Sequence, residues 1–350
     1  MTKPQITIDG RKIGESHPPY VIAELSGNHN GSLGHALKLM ESACTAGANA
    51  IKLQTYTPDT MTIDHDSPDF LINGGLWDGR SLYELFQEAY TPWEWHETLF
   101  AKGKELGITV FSTPFDDTSV DFLESLNAPA YKIASFEAID IPLIEKVAQT
   151  GKPMIISTGM ADLEEIKECV AAAQSGKSNE LVLLHCVSGY PTLPQSSNLR
   201  TIQDLAHRFD VVTGLSDHTL TTATSIAAIA LGAAVIEKHM TLRRVDGGPD
   251  AAFSLEPDEL KKLTEGCKVA WEALGVAGYE QKACEKQNFT FRRSLYAVSD
   301  IKMGDVLTAE NVRAIRPGHG LKPKHLPKII GNCAKVNIKR GTPIQWDLVI

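Results

Sequence analysis

The sequence predicts an α/β chain: a (β/α)8 barrel followed by a small β domain. Short β-branched runs alternate with amphipathic stretches of helical period eight times from Tyr20 onward. No G-x-G-x-x-G follows the first of those runs, so the phosphate-binding turn of an open doubly wound sheet is missing. Past the eighth helix, "DIKMGDVLTAENV" (Asp300 to Val312) is echoed by "NIKRGTPIQWDLV" (Asn337 to Val349), an internal repeat in a segment rich in Gly and Pro. The expected domains are a barrel over 1–276, a linker over 277–289 and a pseudo-symmetric small domain over 290–350.

The elements follow in order. "ITIDGRKI" sets Asp9-Gly10 between alternating residues, the signal of a two-residue hairpin that would plug the barrel's lower mouth. The strands are "YVIAEL", "AIKLQT", "TVFSTPF", "AYKIAS", "MIISTG", "LVLLHC", "VVTGLSD" and "VIEKHM". Between them lie stretches such as "LGHALKLMESACTAG" and "WEWHETLFAKGKELG", several closed by the Gly expected just past a helix end, and "EPDELKKLTEGCKVAWEALG" supplies the eighth helix. The connection from about Tyr56 to Pro92 is long, carries "INGGLWDG", and is expected to cover the site.

A chain of 350 residues with 43% hydrophobic content can bury a large core. Its net charge of -9 argues against nucleic acid or an anionic membrane as partner, so any anion must be held by a local cluster of Lys and Arg. The six cysteines form no C-x-x-C pair and no apolar signal segment precedes them, which reads as a reduced, cytoplasmic protein. No apolar run approaches the length of a membrane span.

The chemistry collects at the strand ends. Two strands finish on histidine, His218 and His239, and a pair of neutral imidazoles suits Mn, Zn, Co or Fe with positions left for water or substrate; the plain alternative is two satisfied structural histidines. Lys52 and Lys132 end apolar strands, and a buried ammonium needs an anion. That anion is either a carboxylate such as Glu24 or Glu237, or a phosphate or carboxylate ligand cradled with Thr113, Ser135, Ser157 and Ser216. A third reading makes Lys132 a Schiff-base lysine activated by desolvation. Arg316, before a Pro-Gly turn, reads from composition alone as a solvated arginine.

"AELSGNHNGSL", "IKLQT", "FSTPFD", "AYKIAS", "ISTGM", "LLHCVSGYP", "GLSDHT", "EKHMTL" and "GGPDAAFSLEP" resemble the sialic acid synthase family in order and spacing, and "DIKMGDVLTAENVRAIRPGHG" resembles its antifreeze-like (SAF, β-clip) domain. The resemblance implies condensation of phosphoenolpyruvate with an open-chain N-acetylated amino sugar to a nonulosonic acid, with a divalent metal, Mn first and Mg or Co as substitutes. "GLWDGRSLYELFQEAYTPWEWH" and "YKIASFEAID" look most like the pseudaminic acid branch, whose sugar is 2,4-diacetamido-2,4,6-trideoxy-L-altropyranose; sialic and legionaminic acid synthases usually carry Ser-Gly-Glu where this chain has Ser135-Phe136-Glu137.

By resemblance, His218 and His239 are metal ligands, and Lys52, Thr113, Lys132, Ser135, Ser157 and Ser216 bind phosphoenolpyruvate. Ser188 stands where relatives often carry Asn. Glu24 matches the catalytic glutamate, Gln54, Tyr190 and Asp250 line the sugar pocket, and Arg316 matches an arginine inserted into the partner's site in a domain-swapped homodimer. Phe136 is expected to meet the sugar's 6-methyl. A Schiff-base aldolase on Lys132, a synthase for N-acetylmannosamine or the legionaminic precursor, and a non-catalytic sugar- or ice-binding protein are the competing functions.

Overall fold

A computed structural model describes residues 3–350 and divides the chain into two compact units, Met1–Gly275 and Val276–Ile350. The first opens with β1 (Ile6–Ile8) and β2 (Arg11–Ile13), paired antiparallel. Both turn residues have positive φ, Asp9 at 49° and Gly10 at 76°, as a type I′ hairpin requires.

Eight parallel strands follow: β3 (Tyr20–Glu24), β4 (Ala50–Thr55), β5 (Thr109–Pro114), β6 (Tyr131–Ile133), β7 (Met154–Ser157), β8 (Leu181–Cys186), β9 (Val212–Asp217) and β10 (Val235–His239). They close in sequence order, with β10 paired to β3. The expected (β/α)8 barrel is thus the fold of this unit.

The helices are α1 (Leu33–Thr45), α2 (Pro58–Met61), α3 (Leu82–Ala89), α4 (His96–Leu106), α5 (Asp117–Ser125), α6 (Ile141–Gln149), α7 (Leu163–Gln174), α8 (Thr201–Phe209), α9 (Ala223–Ala230) and α10 (Pro257–Leu274). Their starts are written in the sequence. Ser32, Asp116, Asp140 and Asp162 each accept a backbone N–H of the first turn, satisfying donors that have no partner within the helix. None of the helices among the described residues is long and apolar enough to cross a membrane.

The period of two in the strands sorts the interior. Val21, Ala23, Ile51, Leu53, Ile133 and Ile156 face outward and pack with the helices in the larger core. Tyr20, Ile22, Ala50, Phe111, Ala130, Ile155, Val182, Leu184, Val212 and Val235 face inward, and Ile6, Ile8 and Ile13 of the hairpin join that cluster. The hairpin therefore fills the amino-terminal mouth, as the sequence predicts.

The second unit contains β11 (Ser294–Ala297), paired antiparallel with β12 (Val312–Ile315), and a short α11 (Leu326–Ile329) around its own core of Leu295, Ile301, Leu307, Ile338 and Ile344. The internal repeat is visible in its hydrogen bonds. Ile301 and Ile338 exchange N–H···O bonds of 2.8 Å each. Asp300 accepts from Arg340 N, and its counterpart Asn337 accepts from Met303 N. Half of the segment expected as a linker is wound into 3-10 turns, Ala283–Phe291.

Candidate active site

At the carboxyl ends of the strands the inward positions become polar: Glu24, Lys52 and Gln54, Thr113, Lys132, Ser157, Cys186, Ser216, then Glu237 and His239. In barrels of this class catalytic groups sit at that end. Lys52 Nζ lies 3.0 Å from Glu24 Oε2 and 3.3 Å from Glu237 Oε1, and it donates to Thr113 Oγ1 at 3.4 Å. The carboxylate partners foreseen for it are therefore both present. Gln54 and the Ser26 backbone donate to Glu24 Oε1 at 3.0 and 3.1 Å, and Ser216 donates to Glu237 Oε1 at 3.1 Å.

Lys132 is different. It is 1% exposed, and its ammonium donates to the Ile133 carbonyl at 2.8 Å, with no carboxylate within salt-bridge distance among the described residues. Burial pushes its pKa down to about 8, opposed by the charge of Glu237. Ser157 Oγ, on the strand β7 that pairs with β6, and Ser188 Oγ, just past β8, are buried without hydrogen-bond partners. Ser135 Oγ accepts from Gly159 N at 3.2 Å. A Cβ at Gly159 would lie 2.4 Å from Ser188 Oγ and 2.7 Å from Ser135 Oγ, so the missing side chain is what lets both hydroxyls close on one point. A buried cation with one carbonyl partner and idle hydroxyls is chemically an anion cradle.

The two carboxylates are pushed apart. Burial lifts the Glu24 carboxyl above its ordinary pKa despite Lys52, whereas Glu237, equally buried, is held below by Lys132 and Lys52. Glu237 is thus the fixed counter-charge, and Glu24 is the carboxylate of the two with the greater affinity for a proton.

His218 and His239 face each other with ring centroids 5.4 Å apart. His218 Nδ1 is 3.1 Å from the Val187 carbonyl; a proton there leaves Nε2 free as a ligand. His239 Nδ1 is buried without a hydrogen-bond partner, and burial, then the charges of His218 and Lys52, holds the ring well below its usual pKa, in the neutral form that binds metal. Among the described residues no group of three His, Cys, Asp or Glu side chains forms a ready-made cage. The pair fits an ion that keeps open positions.

Asp250 Oδ2 stands 3.8 Å from His239 Nδ1, and the Tyr190 ring 4.5 Å from that of His218, so two of the three sugar-pocket candidates border the histidine pair, while the third, Gln54, is on Glu24. Phe136 does not join them. It is 57% exposed and lines an open cleft of about 460 Å³ with Thr60, Met61 and Phe115. Arg316 belongs to the other unit, exposed, directly after β12.

Several strand-end residues turn outward instead. His185 bonds the Ser197 carbonyl, Ser112 and His96 bond Thr55, and Lys238 pairs with Asp217 at 3.0 Å. Sequence reasoning named Glu237 only as a salt-bridge partner and passed over Gly159, Glu137 and Trp77 as site residues. Glu237 is legible from the period of two, since it precedes His239 by two. Glu137 Oε2 is buried without a partner, and burial lifts its pKa to about 7; nothing in the sequence marks that.

The NeuB family pattern matches residues 39–279 and the SAF domain pattern residues 292–350. A pseudaminic acid synthase of Campylobacter jejuni is 44% identical over 93% of this chain and 95% of its own length. That of Helicobacter pylori is 42% identical over 94% and 97%. The solved structure of an N-acetylneuraminic acid synthetase from Leptospira borgpetersenii, in complex with citrate, covers 82% of this chain and 95% of its own at a TM-score of 0.73 and 32% identity. On the family match and on the identity to these relatives along nearly their whole length, the chain belongs to the NeuB family.

Proposed function

We propose that the chain condenses phosphoenolpyruvate with 2,4-diacetamido-2,4,6-trideoxy-L-altropyranose and water, giving pseudaminic acid and phosphate. The observation that carries this reading is the buried, carboxylate-free Lys132 among idle hydroxyls, in a chain 42–44% identical to pseudaminic acid synthases. Lys132, Ser135, Ser157 and Ser188, with Lys52, Thr113 and Ser216 beside them, hold the phosphate and carboxylate of phosphoenolpyruvate. Gln54, Tyr190 and Asp250 line the sugar end, while Phe136, expected from the sequence to meet the sugar's 6-methyl, lies exposed in a separate cleft.

His218 and His239 would hold a divalent ion, Mn first and Mg or Co as substitutes; such an ion supplies Lewis-acid polarisation of an aldehyde, worth several kcal/mol. The chain's own groups do the rest. With the enol phosphate fixed by the lysines, its carbon 3 forms the new bond to the aldehyde carbon, and positive character develops at carbon 2. Glu237 keeps Lys52 charged and in place. The aldehyde's C=O pair moves to its oxygen. Water adds at carbon 2, and Glu24 takes one of its protons and passes it to that oxygen, which becomes a hydroxyl. The carbon–oxygen bond then breaks so that phosphate leaves with the electron pair and the second water proton, leaving a carbonyl at carbon 2.

The small domain enters as a second proposal. Arg316 of one copy would complete the site of another in a domain-swapped homodimer; the support is the family resemblance and the exposure of Arg316 beyond β12. A cytoplasmic location agrees with six free cysteines.

One observation favours a competing chemistry: a lysine pushed down to about 8 could form a Schiff base. Phosphate release from phosphoenolpyruvate separates them, measured with the 6-deoxy-altro sugar, N-acetylmannosamine and the legionaminic precursor, with and without EDTA. Chelator-sensitive turnover of the first sugar alone is the expected result. Borohydride trapping of substrate on Lys132 with chelator-insensitive turnover would establish the aldolase.

A further inference from the structure

From the connection between β4 and α4, Trp77 reaches the wall of the site. Trp77 is half-buried; its indole Nε1 donates to the Pro249 carbonyl at 2.8 Å, and its ring lies 5.6 Å from that of Tyr190. Tyr190 in turn stands 4.5 Å from His218 and 5.1 Å from Phe253, whose ring is 4.9 Å from His239. Trp77 is therefore fixed to two segments at once, the one after β8 that carries Tyr190 and the one after β10 that carries Pro249 and Asp250. Together these rings make an apolar wall beside the histidine pair.

The wall lies within reach of a six-carbon chain. By way of Tyr190, the Trp77 ring is at most about 10 Å from the His218 ring. Five carbon–carbon bonds of about 1.5 Å carry an extended sugar roughly 6 Å, and van der Waals contact adds about 4 Å. A sugar with its aldehyde carbon at the histidines is therefore long enough for its carbon 6 to reach the indole. That face suits a methyl and penalises a hydroxyl, because the indole N–H, the ring's sole donor, is already committed to Pro249.

We propose that Trp77 is a specificity-determining residue that, with Tyr190, receives the 6-methyl of the sugar and disfavours a 6-hydroxyl. The inference rests on the reaction proposed above. Its test is phosphate release by the full chain with Mn, using the 6-deoxy sugar and its 6-hydroxylated counterpart, for the natural protein and for Trp77→Phe, Trp77→Ala and Trp77→Gln.

Trp77→Ala is expected to raise the sugar KM about tenfold and to shrink the preference for the 6-deoxy sugar, with the KM for phosphoenolpyruvate unchanged. Trp77→Phe should keep most of the preference. Trp77→Gln, bulky but polar, should move it toward the hydroxylated sugar and gives the same reading if the alanine variant does not fold. A preference unchanged in both, or one that moves with Phe136→Gly and not with Trp77, overturns the inference, as does a joint rise of both KM values. Natural protein inert on both sugars would instead overturn the reaction itself.

Discussion

At their amino-terminal ends the barrel strands turn Tyr20, Ile22, Ala50 and Phe111 inward against Ile6, Ile8 and Ile13 of the hairpin; at their carboxyl ends the same strands turn Glu24, Lys52, Thr113 and Lys132 inward. Both ends are buried, and they differ in what burial achieves. Below, apolar area removed from water stabilises the fold at roughly 25 cal/mol per Å². Above, burial strips water from charges, lifting Glu24 and pushing Lys132 down to about 8. The contrast teaches that one backbone pattern divides stability from chemistry along the strand axis, so changes at one end should leave the other's property intact.

The largest expected break in that contrast is Glu24→Gln. It keeps the shape of the carboxyl but cannot take up a proton, so turnover should fall on the order of 10² to 10⁴-fold. Phosphoenolpyruvate binding by calorimetry should be nearly unchanged; full activity would remove Glu24 from proton transfer. Mixed with Arg316→Ala, this variant should regain part of its activity if the two residues act from different copies of the chain, whereas no recovery in mixed oligomers would argue against the swap.

At the lower end, Ile8→Ala deletes a fully buried side chain from the plug and should cost about 2–5 kcal/mol of stability in urea unfolding. Below the new transition, kcat and both KM values should be those of the natural protein. A kinetic change as large as the stability change would show that the ends are not separable.

Gly159→Ala sharpens the comparison from above. The added Cβ would meet the Ser188 and Ser135 hydroxyls, which can rotate away, and Ser135 Cβ at 3.1 Å, which must shift slightly, so the expected result is roughly a tenfold rise in the KM for phosphoenolpyruvate with a modest loss of stability.

The smallest effect is a pH dependence. Lys132 binds an anion better when protonated, and its pKa of about 8 lies within the working range, so the KM for phosphoenolpyruvate should rise as pH climbs through 8. In the free protein the sign for stability is the opposite. The buried neutral amine is favoured over the charged one, so this group's contribution grows as pH rises from about 8 toward the ordinary lysine value. A flat KM between pH 7 and 9 would place the anion elsewhere.

The sequence made much of the upper end readable because polarity appears there against an apolar strand: Lys52 after Ala50, Lys132 after Ala130 and Glu237 after Val235 each sit two residues along from an inward apolar side chain. Period alone also places His185 and Ser112 outside the site although both lie at strand ends, for they occupy the outward phase. Trp77 and Gly159 were harder to read. The first acts through a contact 172 residues away in the chain, and the second through the absence of a side chain. Asp300 and Asn337, by contrast, announce the small domain's symmetry directly, because matching positions of a repeat make matching hydrogen bonds.

The most direct test of the central claim, that the polar end adds water at carbon 2 and releases phosphate by carbon–oxygen cleavage, is to follow phosphoenolpyruvate labelled with oxygen-18 at the bridging position through one turnover. The label should appear in the released phosphate, with solvent oxygen at carbon 2 of the sugar acid. Label retained in the sugar acid would mean phosphorus–oxygen cleavage and would contradict the addition of water at carbon 2 and the proton-accepting role of Glu24.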